Sequence, residues 1–158
     1  MAGGISYGDF AARIRRELHG KGWSPSENFS DLGDLAVERT DTAALVTTGR
    51  VLVVRRGDGL SKDEVVTLLR GAYRRLESTS PLFPATCTVV LVFTGSTPLD
   101  WVVCRTQVGS LLRSAYAVAW AVVLPEERLA VHRGTPVFRS GAEEIRTALA
   151  SQRQPGEP

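Results

Sequence analysis

Residues 50–70 read RVLVVRRGDGLSKDEVVTLLR, and this stretch decides the fold class. It begins with four consecutive apolar residues, 51–54, which is typical of a strand covered on both faces. A glycine-bearing loop follows, and Ser61 and Glu64 then form an S-x-x-E capping box ahead of apolar positions at helical spacing. A strand, a loop and a helix in succession predict an α/β fold, with the helix over 62–77.

The same order of signals returns near the end of the chain, where residues 128–150 read RLAVHRGTPVFRSGAEEIRTALA. In each stretch an Arg-Gly pair follows the strand, and a serine then caps a helix with an acidic residue three positions after it. In the second stretch these two residues are Ser140 and Glu143. The second stretch lacks the Gly-x-Gly of the first. The similarity is either a duplication or two solutions to one structural problem, and in both cases the shared part is scaffold.

The other elements follow from periodicity and from turn residues. Ser6, the apolar spacing and Gly20 predict a helix over 7–19. Residues 22–34 indicate a loop, and residues 35–56 predict a three-stranded meander with turns at 40–41 and 48–49. Further predictions are a central strand over 86–94, a helix rather than a strand over 98–113, a hairpin of 115–124 with 128–133, and a last helix after Ser140.

These elements predict a single α/β domain over residues 6–151, with a mixed sheet of about five or six strands and helices on both faces. The hairpins exclude an all-parallel sheet. The step from one parallel strand to the next through helix 62–77 is expected to be right-handed. Residues 1–5 are predicted to be flexible, and the polar, proline-bearing residues 152–158 to be disordered.

Composition excludes several classes of protein. The chain has 158 residues and a formal net charge of +2, too small to indicate an electrostatic field for nucleic acid or for an anionic membrane. The longest apolar run, 115–124, is half the length of about 20 residues that a membrane-spanning helix requires. The first ten residues do not resemble a secretory signal, so we expect a cytoplasmic protein. Lysine occurs only at Lys21 and Lys62, and this arginine bias suggests a bacterial genome of high GC content.

Cysteine and histidine do not occur at metal-binding spacing. Cys87 and Cys104 lie in apolar surroundings without a C-x-x-C pair, so we expect two reduced core cysteines, with a single disulfide as the alternative. His19 is placed at the end of the first helix, and His132 on a strand without a diagnostic nucleophile or acid nearby. We therefore predict neither a zinc site nor a cofactor.

The loop after residue 54 resembles a phosphate cradle only in part. The P-loop motif requires G-x-x-x-x-G-K-[ST], and the dinucleotide fingerprint requires a third glycine or alanine where Lys62 stands, so both fail. A helix N-terminus backed by cations can still bind an anion without a named motif. The candidate residues are Arg55, Arg56, Gly57, Gly59, Ser61 and Lys62. Because Asp58, Asp63 and Glu64 compete for the same amides, we favour a structural cap and keep the anion site as the alternative.

Two further kinds of site are not favoured. Asp31, Asp34, Glu38 and Asp41 precede or enter the first strands, as in a metal-dependent nuclease, but the lysine that such a site uses is absent from that region. Arg70, Arg74 and Arg75 share helix 62–77 and could follow phosphates, yet no stacking aromatic residue is interleaved with them.

The function that this sequence favours is a non-catalytic binding or regulatory module that acts through protein contacts, with self-association as a homodimer included. Trp101, Arg105 and Arg113 suit an interface, although a core tryptophan with solvated arginines would look the same. One alternative is an anion- or nucleotide-binding domain, or a small enzyme, that uses the loop from Gly57 to Lys62. A second alternative is a nuclease-like domain with a degenerate metal site.

Overall fold

A computed structural model describes residues 5–43, 46–79, 84–95, 107–110, 115–124, 128–130 and 147. The elements are α1 (Tyr7–His19), β1 (Ser24–Pro25), β2 (Leu35–Ala43), β3 (Val46–Arg56), α2 (Lys62–Thr79), β4 (Ala85–Phe93), β5 (Gln107–Ser110), β6 (Ala115–Val123) and β7 (Arg128–Ala130). Five strands of four or more residues and two shorter ones form one mixed sheet, in the order β1-β2-β3-β4-β6-β5, with β7 also paired to β6. The predicted α/β class is confirmed. Neither α1 nor α2 combines the length and apolarity that crossing a bilayer demands.

Helix α1 has the bounds that the sequence predicts. The Ser6 hydroxyl accepts a hydrogen bond from the Asp9 amide at 3.1 Å and donates one to the Asp9 carboxylate at 2.7 Å, which satisfies one of the free amides of the first turn. Phe10, Ile14 and Leu18 have no exposed surface, so the stripe at helical spacing is the buried face.

The predicted three-stranded meander over residues 35–56 is wrong. Strands β2 and β3 form one long antiparallel hairpin with unbroken register from Leu35 opposite Val54 to Ala43 opposite Val46. The residue pairs expected to be turns, 40–41 and 48–49, instead lie opposite each other within the ladder. Two of those four positions are threonine, which is a good strand former. Polar residues at these positions are therefore compatible with a continuous strand and do not mark turns.

The predicted succession of strand, loop and helix over residues 50–70 is present in the structure. Strand β3 is followed by α2, which extends two residues beyond its predicted end, and by β4, which pairs in parallel with β3. Strand β4 lies between β3 and β6 and is parallel to both. All but its last residue are buried, which confirms the prediction of a central strand covered on both faces.

The helix favoured over 98–113 is wrong at its described part, because Gln107–Ser110 is strand β5, antiparallel to β6. The signals that favoured the helix lie at 97–100, outside the described residues, whereas pairing with β6 decides the state of β5. The predicted hairpin is confirmed where it is described, since β7 pairs antiparallel with the second half of β6. Both β5 and β7 thus line one edge of β6.

The core has two parts, one on each face of the sheet. Leu52 and Val54 of β3 belong to the same buried cluster as the apolar stripe of α1. Val51 and Val53 belong to the cluster that contains the apolar stripe of α2. Because successive side chains of a strand point to opposite faces, α1 and α2 pack on opposite sides of β3.

Several predictions lie outside the described residues. Of the predicted last helix only Thr147 is described, and it is helical. Residues 1–4 and 152–158 are likewise outside the described ranges, so the predictions of flexibility and disorder remain predictions. Ile5 is described and packs against the cluster on the α1 face.

Candidate functional site

The loop after β3 contains the capping box that the sequence indicates. The Glu64 carboxylate accepts a hydrogen bond from the Ser61 amide at 2.7 Å, and the Ser61 hydroxyl accepts one from the Glu64 amide at 3.2 Å. Two amides of the helix start are therefore satisfied within the chain. The acids of the first turn, Asp63 and Glu64, also complement the positive end of the α2 dipole.

The two glycines of the loop serve different structural needs. A β-carbon on Gly57 would lie 2.8 Å from the Phe93 ring, so the backbone here approaches the end of β4 more closely than alanine allows. The Gly57 amide donates to the Val92 carbonyl at 2.8 Å, which extends the β3–β4 pairing. Gly59 has a φ of 82°, a conformation that glycine adopts readily. Neither role requires a ligand.

Asp58 joins this loop to the end of β4. Its carboxylate accepts hydrogen bonds from the Thr94 hydroxyl at 2.7 Å, from the Thr94 amide at 3.1 Å and from the Gly95 amide at 3.4 Å. Burial acts to raise the pKa of Asp58, but the hydrogen bonds from Thr94 and Gly95 outweigh it and hold that pKa below its ordinary value. The amides of Thr94 and Gly95 at the end of β4 thus bind a carboxylate of the chain itself.

The three cations of the predicted anion site are directed to different places. Arg55 donates to the Leu32 carbonyl at 3.4 Å. The Arg56 guanidinium lies 4.7 Å from the centroid of the Tyr7 ring, a cation–π contact with α1. Lys62 is exposed on the first turn of α2. The fold thus places these residues close along the chain without directing them at one point.

Tyr7 also ties α1 to the residue that directly precedes β2. Its hydroxyl donates to the Asp34 carboxylate at 2.5 Å. Burial and this hydrogen bond raise the pKa of Tyr7, so the phenol stays protonated at neutral pH. The loop is therefore braced from both sides, by α1 through Arg56 and by β4 through Asp58.

The four acids considered for a nuclease-like site lie apart, each with its own partner. Asp31 forms a bidentate ion pair with Arg75, whose guanidinium lowers the pKa of Asp31 to about 2. Asp34 binds Tyr7 as above, and Glu38 accepts from the Ser26 hydroxyl at 2.7 Å. Within the described residues no group of three or more metal-ligating side chains comes together.

The residues proposed for an interface, Trp101, Arg105 and Arg113, lie outside the described part of the chain, as do Cys104 and His132. Their predicted roles stay predictions. Cys87 carries a free thiol in the core, and burial raises its pKa to about 12. His19 is exposed at the end of α1.

The register of the strands reveals a feature that no local sequence pattern indicates. Strand β3 pairs with β4 only from Gly49 onward, and β1 pairs with β2 only at Val37 and Glu38. Residues 41–43 and 46–48 therefore form a two-stranded ribbon whose outer edges have no partner strand in the described ranges. Three residue pairs extend roughly 10 Å past the start of β4. We call these residues the β2–β3 ribbon.

The base of the ribbon is fixed by charge. Asp41 accepts a hydrogen bond from Arg39 at 2.8 Å and forms an ion pair with Arg50 at 2.7 Å, and all three side chains are partly buried. Arg39 also donates to the Lys21 carbonyl at 2.9 Å, which anchors it to the end of α1. Arg39 and Arg50 lie directly opposite each other on the two strands, and two like charges in that position repel each other. The Asp41 carboxylate offsets this repulsion because it pairs with both arginines. Only the register, not the local composition, brings the three residues together.

A cleft of about 180 Å³ opens on the α2 face at the start of the parallel strands. Gly49 forms its floor, and Thr40 and Ala85 stand beside Gly49 on the neighbouring strands. Leu76 of α2 and the Glu38 side of β2 form its walls. The cleft exists because three small residues fall in one row across the sheet beneath the last turns of α2.

No protein-family model, no curated protein and no solved structure matches the chain.

Proposed function

We propose that this protein is a non-catalytic binding module that works through protein contacts, and that the β2–β3 ribbon is its contact element. The observation that carries the proposal is that both outer edges of the ribbon lack a partner strand within the described residues. An isolated two-stranded hairpin is marginally stable in water, and unpaired strand edges readily accept another strand. A ribbon braced at its base by Asp41 and open along its edges suits that role.

The chemistry of the ribbon favours recognition by strand addition. The Ser26 amide donates to the Ala36 carbonyl, so even-numbered residues of β2 direct their backbone groups toward the outer edge. By the same alternation the amide and carbonyl of Thr42 point to that edge, where a partner strand could pair with them. The chain passes from β2 to β3 through the sequence Ala43-Ala44-Leu45-Val46, whose apolar composition suits a protein contact.

The partner in this proposal is a folded or extended protein segment, and a second copy of the chain is included. The proposal also places the protein in the cytoplasm of a bacterium. The arginine bias and the free buried thiol of Cys87 support that placement.

Shortening the ribbon tests the proposal. Replacing residues 42–47 by Asn-Gly joins Asp41 to Thr48 by a tight turn that suits antiparallel strands and keeps the ion pairs at the base. Fluorescently labelled parent protein and the shortened variant are then sedimented in buffer and in clarified lysate of the native cells. We expect the parent to sediment faster than a monomer in buffer, if it self-associates, or in lysate, if it binds another protein. The shortened variant should sediment as a monomer in both.

The control is the unfolding midpoint of the shortened variant, which should remain close to that of the parent because the ribbon lies beyond the β3–β4 pairing. A parent protein that sediments as a monomer in both solutions would contradict the proposal. So would a shortened variant that folds and still sediments like the parent.

A further inference from the structure

The cleft above Gly49 contains one side chain whose chemistry points to a ligand. Glu38 lines the cleft, and its Oε2 accepts a hydrogen bond from the hydroxyl of Ser26, which is only 2% exposed. No residue in the described part of the chain donates to the other carboxylate oxygen, Oε1. Within the described residues, the carboxylate of this cleft-lining residue is thus held through one oxygen only.

The surroundings of Glu38 indicate the charge of the group that would bind. The arginines nearest along the chain, Arg39 and Arg50, pair with Asp41. Arg39 and Asp41 lie on the face of β2 opposite to Glu38, because neighbouring residues of a strand alternate in direction. Arg39 and Arg50 also line the cleft, but both pair with Asp41 on the opposite face of the sheet. Among the lining residues, Glu38 is therefore the charged residue that strand alternation places on the α2 face, and a cationic group offers it both an opposite charge and hydrogen-bond donors.

The size and the apolar wall limit the ligand further. Phe29, Val51 and Leu76 supply apolar contact around the carboxylate. A volume of about 180 Å³ is below the roughly 300–1,000 Å³ typical of small-molecule sites. A short alkyl chain carrying one ammonium group meets both conditions.

We propose that this cleft is a binding site for a small organic cation, namely a primary alkylammonium compound. Its ammonium group binds Glu38 and its alkyl chain lies over Gly49 against Leu76. The site is separate from the β2–β3 ribbon, so it can fail without affecting the proposed function, and the reverse is also true.

The test is a titration of the ¹⁵N-labelled protein with n-butylammonium chloride, followed by NMR at constant ionic strength. We expect saturable shifts at the amides of Glu38, Gly49 and Leu76. Neutral n-butanol should bind more weakly by about tenfold or more, since it lacks the charge-assisted hydrogen bond.

Two variants locate the site, and a third is the control. Glu38→Gln keeps the shape and removes the charge, and should weaken butylammonium binding by about tenfold or more. Gly49→Ala places a methyl group in the floor, and should abolish binding without backbone strain because Gly49 does not have a positive φ. Glu77→Gln changes an exposed carboxylate of α2 outside the cleft, and should bind as the parent does.

Absence of saturable shifts in the parent protein would overturn the proposal. Equal binding of butylammonium and butanol, or undiminished binding in folded Glu38→Gln, would overturn it as well. If Gly49→Ala does not fold, the comparison of Glu38→Gln with Glu77→Gln decides alone.

Discussion

Asp58 links the loop after β3 to the end of β4. At the level of composition it is an acid in a glycine-rich turn, compatible with a cap, an anion site or a metal site. In the structure its carboxylate accepts hydrogen bonds from both the hydroxyl and the amide of Thr94. The loop is thereby fastened to the end of β4.

Replacing Asp58 by asparagine should lower the free energy of unfolding at pH 7 by about 1 kcal/mol, allowing for the solvent exposure of the group. The folded-state pKa of Asp58 lies below its ordinary value of 3.8. Its contribution is therefore fully present above that value and is lost as the pH falls through the folded-state pKa. Urea unfolding of parent and variant between pH 2.5 and pH 7 measures this difference.

The parent and Asp58→Asn should converge in stability at the acid end of that range. Thr94→Val removes the donor hydroxyl, so the loss of stability caused by Asp58→Asn should be smaller in a chain that already carries Thr94→Val. A gap of the same size at pH 3 and at pH 7 would show that the carboxylate charge does not stabilise the loop.

Gly57 and Gly59 should both be destabilised by alanine, for different reasons. At Gly57 the added β-carbon meets the Phe93 ring at 2.8 Å, so overpacking should cost about 1–3 kcal/mol. At Gly59 the space is open but φ is 82°, so the strain of the left-handed region should cost about 1 kcal/mol.

The Phe93→Leu background separates the two causes. Removing the ring should reduce the cost of Gly57→Ala and leave the cost of Gly59→Ala unchanged, as measured by urea unfolding. Equal costs of Gly57→Ala in both backgrounds would mean that contact with Phe93 is not the reason for glycine there.

Among the elements, α1 and α2 were predicted well because their signals are local, whereas the helix favoured over 98–113 is wrong at 107–110. Helix α1 begins after Ser6 and ends at His19, as the cap and the apolar spacing indicate. The β2–β3 hairpin was missed because Thr40 and Asp41 have the composition of a turn, while their state is set by residues opposite them. Charge pairing of Asp41 with Arg50, nine residues away along the chain, cannot be inferred from a local window.

The capping box is expected to stabilise the start of α2. Ser61→Ala removes the acceptor of the Glu64 amide and should lower the free energy of unfolding by about 1 kcal/mol. Ser78→Ala is the matched control, since Ser78 is an exposed serine at the other end of the same helix whose hydroxyl donates to the Arg75 carbonyl. A larger loss from Ser78→Ala than from Ser61→Ala, measured by urea unfolding, would contradict a stabilising role of the box.

For the whole molecule, the apolar runs predicted the central position of β4 and the covering of both faces of β3 because a buried strand needs apolar residues in every position. The candidate sites could not be located in the same way. The cleft depends on Thr40, Gly49 and Ala85 falling in one row across three strands, and the ribbon depends on where the β3–β4 pairing begins. Both features depend on the pairing register between strands. The sequence of a single strand does not determine that register.

The most direct test of the contact role of the ribbon is photo-crosslinking from its edge. A photoreactive amino acid is placed at Thr42 on the ribbon or, as the matched control, at Thr67, an exposed threonine of α2. After irradiation in native lysate and as pure protein, discrete adducts are separated and identified by mass spectrometry. We predict one dominant adduct from position 42, either with a second copy or with one other protein, and we predict that this adduct does not form from position 67. The same adducts from both positions, or no adduct from position 42, would contradict it.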